Sequence, residues 1–310
     1  MSGKPEKAGN SESKKDAVLK YAFYLGCATP LRERAYEISA RRVLKELGVK
    51  LVEMKGANCC GLPIDAVNHE MTLALSARNL TIAEKKGLNI LTLCSGCTGQ
   101  LMKTNKHLKG NRKSRERVNS YLKTIRTEFQ GTIEVKHLLR VFVEDIGFEK
   151  LKTYIKRPLN GMRIAAHYGC HLLMPSKYLE FDDFEDPEFL LEFIALLGAE
   201  PVRYADEKQC CGAVIAGVNL DLPLNLIADK FRNVKNAHAD AITTICPSCH
   251  LMYDQHQSSA EKMFDETYNM PVLHFTQLLG LAMGIPAEEL ALDELKVNPE
   301  GFLTAIEQTA

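Results

Sequence analysis

All ten cysteines of this 310-residue chain fall into two series of the same design. The first is Cys27, the adjacent pair Cys59-Cys60, and Cys94-Ser95-Gly96-Cys97. The second is Cys170, the adjacent pair Cys210-Cys211, and Cys246-Pro247-Ser248-Cys249. Matching cysteines lie 143, 151 and 152 residues apart, so the chain reads as an internal duplication. Any fold it adopts has to bring five scattered thiols together twice.

The segments between the cysteines point to how that happens. A short β-type run at 21–25 ends at Gly26-Cys27. Apolar residues at helical spacing over 32–47 stop at Gly48, and 50–54 reads as a second strand. Residues 56–63 form a loop carrying Cys59-Cys60-Gly61. A helix over 69–86 then leads to an apolar third strand that runs into Cys94. The second half repeats the order: strand 162–166, turn 167–170, helix 189–197, strand 201–204, loop with Cys210-Cys211-Gly212, helix 224–237, strand 241–245. A further echo, Val135-Lys136-His137-Leu138-Leu139 and Val272-Leu273-His274-Phe275, follows each series. Strand and helix alternation of this kind predicts parallel α/β units with right-handed crossovers. In such units ligands collect at the carboxyl ends of the strands, where every cysteine here is placed. The expectation is one point of thiol convergence per half.

The expected organisation is a disordered tail over 1–18, a first domain over 19–158, a second over 159–290 and a C-terminal tail over 291–310. The break near 158–161 falls on turn residues. Lys plus Arg equals Asp plus Glu, 39 each, so no global charge recruits nucleic acid or an anionic membrane. The basic stretch 103–117 reads as a solvated helix face within a polar, helical region at 104–130. No apolar run approaches the ~18 residues of a membrane span, and the polar N-terminus is not a secretory signal. The expected compartment is therefore a reducing cytoplasm, where clustered cysteines serve metals or redox chemistry.

Three chemistries compete for the thiols. A Cys-x-x-Cys redox disulfide leaves the other three cysteines of each series unexplained. Structural zinc takes four thiolates and leaves one spare in each half. Zinc in one half alone is a further variant. Iron–sulfur clusters suit soft thiolates at Cys-x-x-Cys spacing. Five thiolates exceed the four of an ordinary four-iron cubane, which suggests an opened cluster with an iron left for an outside sulfur.

The two series resemble the tandem cysteine-rich (CCG) domains of the catalytic B subunit of heterodisulfide reductase. So do 21–27, 135–139 and His167-Tyr168-Gly169-Cys170-His171. The resemblance spans about 20–280, and the lack of a ferredoxin-type cysteine run points to the separate B-type polypeptide. It implies two Rossmann-like CCG domains related by a pseudo-twofold axis. Each would hold a non-cubane [4Fe-4S] cluster, one through Cys27, Cys59, Cys60, Cys94 and Cys97, the other through Cys170, Cys210, Cys211, Cys246 and Cys249. A disulfide bound between them would be cleaved or formed. Electrons would pass through a C-type iron–sulfur partner and an A-type partner that bears flavin and iron–sulfur centres. The implied substrate is the coenzyme M–coenzyme B heterodisulfide or, in sulfur-oxidising complexes, a lipoate-linked sulfur compound. The loops 61–65 and 212–217 depart from the methanogen pattern. The alternatives are an iron–sulfur electron-transfer subunit of a lactate, glycerol-3-phosphate or succinate oxidoreductase, and a zinc-stapled scaffold.

Among other residues, His167 and His171 flank Cys170 and are candidates to donate to cluster sulfur. His137 and His274 are expected to pack, as are Met102, Met162, Met174 and Met252. Asp65, His69, Lys177 and Lys208 are candidates for lining the gap. No phosphate-binding glycine loop or nucleophile elbow is present.

Overall fold

A computed structural model describes residues 18–309. The predicted N-terminal tail falls almost wholly outside that range. Eight strands form two four-stranded sheets of the same topology. The first contains β1 (Lys20–Tyr24), β2 (Lys50–Glu53), β3 (Ile90–Thr92) and β4 (Val135–His137), in the order β2-β1-β3-β4. The second contains β5 (Arg163–His167), β6 (Glu200–Val202), β7 (Ala241–Thr244) and β8 (Val272–His274), in the order β6-β5-β7-β8. Every pairing is parallel. The short echoes after each cysteine series are thus the fourth strands, a role their three-residue length concealed.

Strand pleating divides the core into two layers. Tyr21 and Phe23 enter one apolar cluster, while Ala22 and Tyr24 enter the other. Ile164 and Ala166 oppose Ala165 in the same way across β5. This is the period of two expected of a strand covered on both faces. The edge strand β2 is only half covered, and its flanking lysine and glutamate face water.

Both layers draw residues from both copies. The helix Arg34–Glu46 of the first copy packs on Phe275–Ala282 of the second. Tyr36, Phe142, Phe193 and Phe275 form a ring cluster with centroids 5.5–6.1 Å from Phe275. The Tyr36 hydroxyl donates to the Ile245 carbonyl at 3.2 Å, and Ser39 Oγ meets Thr276 Oγ1 at 2.7 Å. We propose 158–161 as the division between copies, but the packing joins them across it.

Several boundaries differ from expectation for local reasons. The helix expected over 32–47 runs Arg34–Glu46, and a separate short helix, Ala28–Arg32, precedes it, the two divided at Glu33. Two helices, Ser95–Gly110 and Arg112–Lys123, cover much of the polar region 104–130, and several of its basic residues pair on the surface, as in Lys109–Glu134 and Arg112–Glu116. Near the C-terminus the helix Glu300–Thr309 buries Phe302 and Ile306 in the shared core rather than trailing away.

A large cavity at Phe275 should therefore be felt by both copies. Phe275→Ala is expected to cost about 3–5 kcal/mol. Calorimetry should still record a single unfolding transition; two well-separated transitions would show that the copies fold independently.

Candidate metal centre

The chain turns back at the carboxyl edge of each sheet, and the cysteines sit on those turns. Cys27 follows β1, Cys59-Cys60 follow β2, and Cys94 ends the run after β3, with Cys97 in the first turn of the helix Ser95–Gly110. The second copy repeats this with Cys170 after β5, Cys210-Cys211 after β6, and Cys246 and Cys249 around the start of the helix Pro247–His250. In each sheet the chain moves from its first strand to opposite sides, so the cysteines gather at the topological switch point.

The two expected points of convergence prove to be one place. All ten cysteines line a single cavity of about 260 Å³. In the first set Cys60 is flanked by Cys59 and Cys97, and Cys97 by Cys94. In the second, Cys210 is flanked by Cys170 and Cys211, and Cys249 by Cys211 and Cys246. The sets touch where Cys94 Sγ lies 4.0 Å from its counterpart Cys246 Sγ. All ten thiols are free in the structure.

Crowding sets the protonation of these sulfurs. The thiols of Cys59 and then Cys97 beside Cys60 hold it down to about 4, and those of Cys170 and Cys211 hold Cys210 down to about 2. Their neighbours move the other way: Cys210 is the main cause that pushes Cys211 up to about 12. Cys94 is raised, chiefly by Cys246, and Cys97 chiefly by Cys60. Ten sulfurs at this spacing cannot all ionise without a cation among them. A metal that takes thiolates removes that conflict outright.

The walls suit such a group. Backbone N–H groups of Gly61 and Gly212 donate to Cys59 Sγ and Cys210 Sγ at 3.5 and 3.4 Å, equivalent contacts in the two copies. Hydrogen bonds of this kind to cluster sulfurs tune their potential. Gly26 and Gly169 take φ of +71° and +69° just before Cys27 and Cys170. A Cβ on Gly26 would lie 2.9 Å from Cys97 Sγ, and one on Gly169 3.0 Å from Ser95 Oγ. Side chains there would fill the cradle. Ser95 Oγ itself is buried at the wall without a hydrogen-bond partner.

The remaining sequence candidates divide. His171 lines the cavity, its Nδ1 3.4 Å from Cys170 Sγ. His167 is buried, packs edge-on to Tyr253 at 4.8 Å, and is pushed down to about 3 by burial and then by Lys230. His137 is structural: Nδ1 accepts from the Leu139 N–H, so Nε2–H faces the Ile245 carbonyl at 2.9 Å across the copies. Asp65, His69, Lys177 and Lys208 do not line the cavity. Asp65 instead binds Lys103 and His69, and Lys208 binds the Glu185 carbonyl. Of the methionines, Met174 is half exposed rather than packed.

Two buried polar groups escaped the sequence reading. Glu33, His250 and His274 come together with at most 3% exposure each. Glu33 Oε2 lies 2.7 Å from His250 Nδ1 and 3.3 Å from His274 Nε2, and the two rings stack at 3.8 Å. His250 Nε2 is 3.0 Å from the Val272 carbonyl and so carries a proton. The second group is Lys230, 1% exposed, which binds Asp206 behind Cys211 and Cys249. Neither had a signal, because each joins residues distant in sequence.

Glu33 makes a pH-dependent contribution. Burial would raise its pKa, but the hydrogen bonds from His250 and His274 prevail and hold it near 2. A carboxylate depressed on folding stabilises above its unfolded value, ~4.5, and loses that stability as pH falls toward 2. Glu33→Gln should cost about 3 kcal/mol at pH 7 in urea denaturation, with the deficit shrinking below pH 4.5. A deficit independent of pH would mean that shape, not charge, is lost.

Comparison with known proteins agrees with this architecture. A family model described as a cysteine-rich domain, CCG, matches residues 21–102 and again 164–254. The chain is 37% identical over 294 residues to the B subunit of the ferredoxin/F420H2-dependent CoB-CoM heterodisulfide reductase of Methanosarcina acetivorans, covering 93% of this chain and 97% of that one. It is 34% identical to the 8-methylmenaquinol:fumarate reductase membrane anchor subunit of Wolinella succinogenes, covering 88% and 95%. A protein of Archaeoglobus profundus named as like the B subunit of heterodisulfide reductase is 33% identical, with 88% and 94% covered. A hypothetical protein from Helicobacter pylori of known structure shares the fold, with a TM-score of 0.73 at 17% identity over 91% of this chain and 53% of that one. Among the described residues no helix is long and apolar enough to cross a membrane. With its doubled CCG domains and these relatives along nearly its full length, the chain belongs to the family of heterodisulfide reductase B subunits.

Proposed function

We propose that the chain is the iron–sulfur subunit of a heterodisulfide-reductase-type oxidoreductase in which a disulfide reacts between two non-cubane [4Fe-4S] clusters. One cluster would be held by Cys27, Cys59, Cys60, Cys94 and Cys97, the other by Cys170, Cys210, Cys211, Cys246 and Cys249. The observation that carries the reading is the single cavity lined by both sets, which meet at Cys94 and Cys246. When bound, the clusters supply electrons one at a time and an iron to take up sulfur. The protein holds them in register: Gly61 and Gly212 donate to ligand sulfurs, and His171 stands beside Cys170.

The net reaction takes one disulfide, two electrons and two protons to two thiols, or runs in reverse. Electrons would come from, or pass to, a C-type iron–sulfur partner and an A-type flavin-bearing partner, in a cytoplasmic complex. The names of the Methanosarcina relatives support the coenzyme M–coenzyme B heterodisulfide as substrate. A lipoate-linked sulfur compound is the other class. A second reading, an electron relay that touches no disulfide, is favoured by the likeness to the fumarate reductase subunit.

Anaerobic metal and sulfide analysis tests the cofactor. The expected content is about eight irons per chain with matching sulfide, and no zinc. Iron near four with zinc making up the balance would rule out two clusters. Cys60→Ala or Cys211→Ala should each lose about half of the iron, whereas a zinc site with a spare thiol keeps its metal. A relay would hold the same iron, but its cluster spectrum would not respond to any disulfide.

A further inference from the structure

The ten sulfurs repeat between the copies, but the wall around them does not. Among the described residues, three polar side chains besides the cysteines line the cavity: Ser95, His171 and Ser248. Ser95 follows Cys94, and its counterpart after Cys246 is Pro247. His171 follows Cys170, and its counterpart after Cys27 is Ala28. Pro247 and Ala28 line the cavity as well. Ser248 is matched by Gly96 and is only partly buried.

Packing between the copies sorts these residues into two ends. The helix Ser95–Gly110 packs on Cys170–Leu173, so closely that a Cβ on Gly99 would lie 2.8 Å from the His171 carbonyl. Ser95 Oγ in turn lies 3.0 Å from where a Cβ on Gly169 would stand. Ser95 and His171 therefore share one end. The equivalent helices, Pro247–His250 and Ala28–Arg32, also pack on each other, which brings Pro247 and Ala28 to the other end. One end offers a hydroxyl and an imidazole, the other a pyrrolidine ring and a methyl group. Ser95 is 1% exposed and its Oγ has no hydrogen-bond partner. A hydroxyl buried in this way forfeits the bonds it would make in water. A ligand atom inside the cavity would restore one.

We infer that the Ser95 hydroxyl hydrogen-bonds one arm of a bound disulfide and thereby fixes which way round an unsymmetrical disulfide lies. The arm with a polar group near its sulfur takes the end with Ser95 and His171. The arm that is aliphatic next to its sulfur takes the end with Pro247 and Ala28. The inference rests on the disulfide reading above and deepens it by naming the residue that tells the two arms apart. Two physical reasons converge. A polar group placed against Pro247 and Ala28 gives up water and meets no side-chain partner, whereas at Ser95 it meets a hydroxyl that lacks one. Aliphatic carbon gains by covering the proline ring and the alanine methyl, and at Ser95 it would leave the hydroxyl unsatisfied.

The test uses the anaerobically purified full chain with its iron–sulfur content intact. No electron donor is present, so a disulfide is bound and not consumed. Three disulfides of nearly equal size are titrated calorimetrically: bis(2-hydroxyethyl) disulfide, dipropyl disulfide and the mixed 2-hydroxyethyl propyl disulfide. Were the two ends equivalent, each arm would contribute the same at either end. The mixed compound would then bind with the geometric mean of the two symmetric constants. Unequal ends make one orientation win, and the mixed compound is expected to bind at least about threefold tighter than that mean. Ser95→Ala should shrink this excess toward onefold while dipropyl disulfide binds as before. Pro247→Ser supplies a hydroxyl at the matched position, so it should strengthen binding of the bis(2-hydroxyethyl) compound and reduce the excess. It carries the test if Ser95→Ala loses its iron. Binding of the mixed compound at the mean by the unaltered protein overturns the inference but leaves the disulfide reading standing. So does a Ser95→Ala protein that keeps both its iron and the full excess, since the hydroxyl then serves the walls or the sulfurs and not the substrate. Failure of all three disulfides to bind overturns the disulfide reading, and this inference with it.

Discussion

Ten sulfurs held within one cavity cannot coexist as thiolates by themselves, and this electrostatic conflict governs the molecule. Strands deliver the cysteines to the carboxyl edges, and glycines beside them keep the backbone close enough for the sets to converge. Cys94 and Cys246, both buried, meet at 4.0 Å where the two sets touch. The thiols answer by sharing protons unevenly, with Cys60 and Cys210 lowered and Cys59 and Cys170 raised. An arrangement of this kind stores a strong preference for cationic metal, which relieves all of the repulsions together.

Convergence of two sets in one cavity demands that the copies be fixed relative to each other. The fold meets that demand by interlocking them. The ring cluster of Tyr36, Phe142, Phe193 and Phe275 lies on one side of the sheets, and hydrogen bonds from Tyr36 and His137 reach the same Ile245 carbonyl just before Cys246. Two residues of the first copy thereby hold the turn that carries a cysteine of the second. The site and the interface between copies are not separable parts of the structure.

The duplication is close at the sulfurs and loose behind them. Nineteen residues after the double cysteine, the first copy has Asn79 and the second has the buried Lys230. At the end of the first strand, Tyr24 in one copy corresponds to His167 in the other. Asn79 and Tyr24 bind the Asn58 carbonyl and carry no charge, whereas Lys230 places a cation beside Asp206 and near Cys211 and Cys249. The His250 and His274 rings around Glu33 also belong to the second copy. The same order of cysteines thus sits in unlike fields, so two metal groups bound here would differ in potential even with the same donor set.

Much of this was readable from the chain alone. Paired cysteine series, β-type runs before each of them and Gly26 or Gly169 at the turns are local features, and local sterics and pleating carry them directly into parallel strands with thiols at one edge. The resemblance to the heterodisulfide reductase family rested on those same residues and agrees with the family comparisons. Strands of three residues, such as β4 and β8, were too short to show a period. The joining of two thiol points into one cavity, the pairing of Glu33 with His250 and His274, the exposure of Met174 and the docking of the last helix were settled only in three dimensions. Each depends on how one copy packs against the other, or on contacts between residues far apart in the chain, and no periodicity within a copy encodes the angle and distance at which two folded surfaces meet.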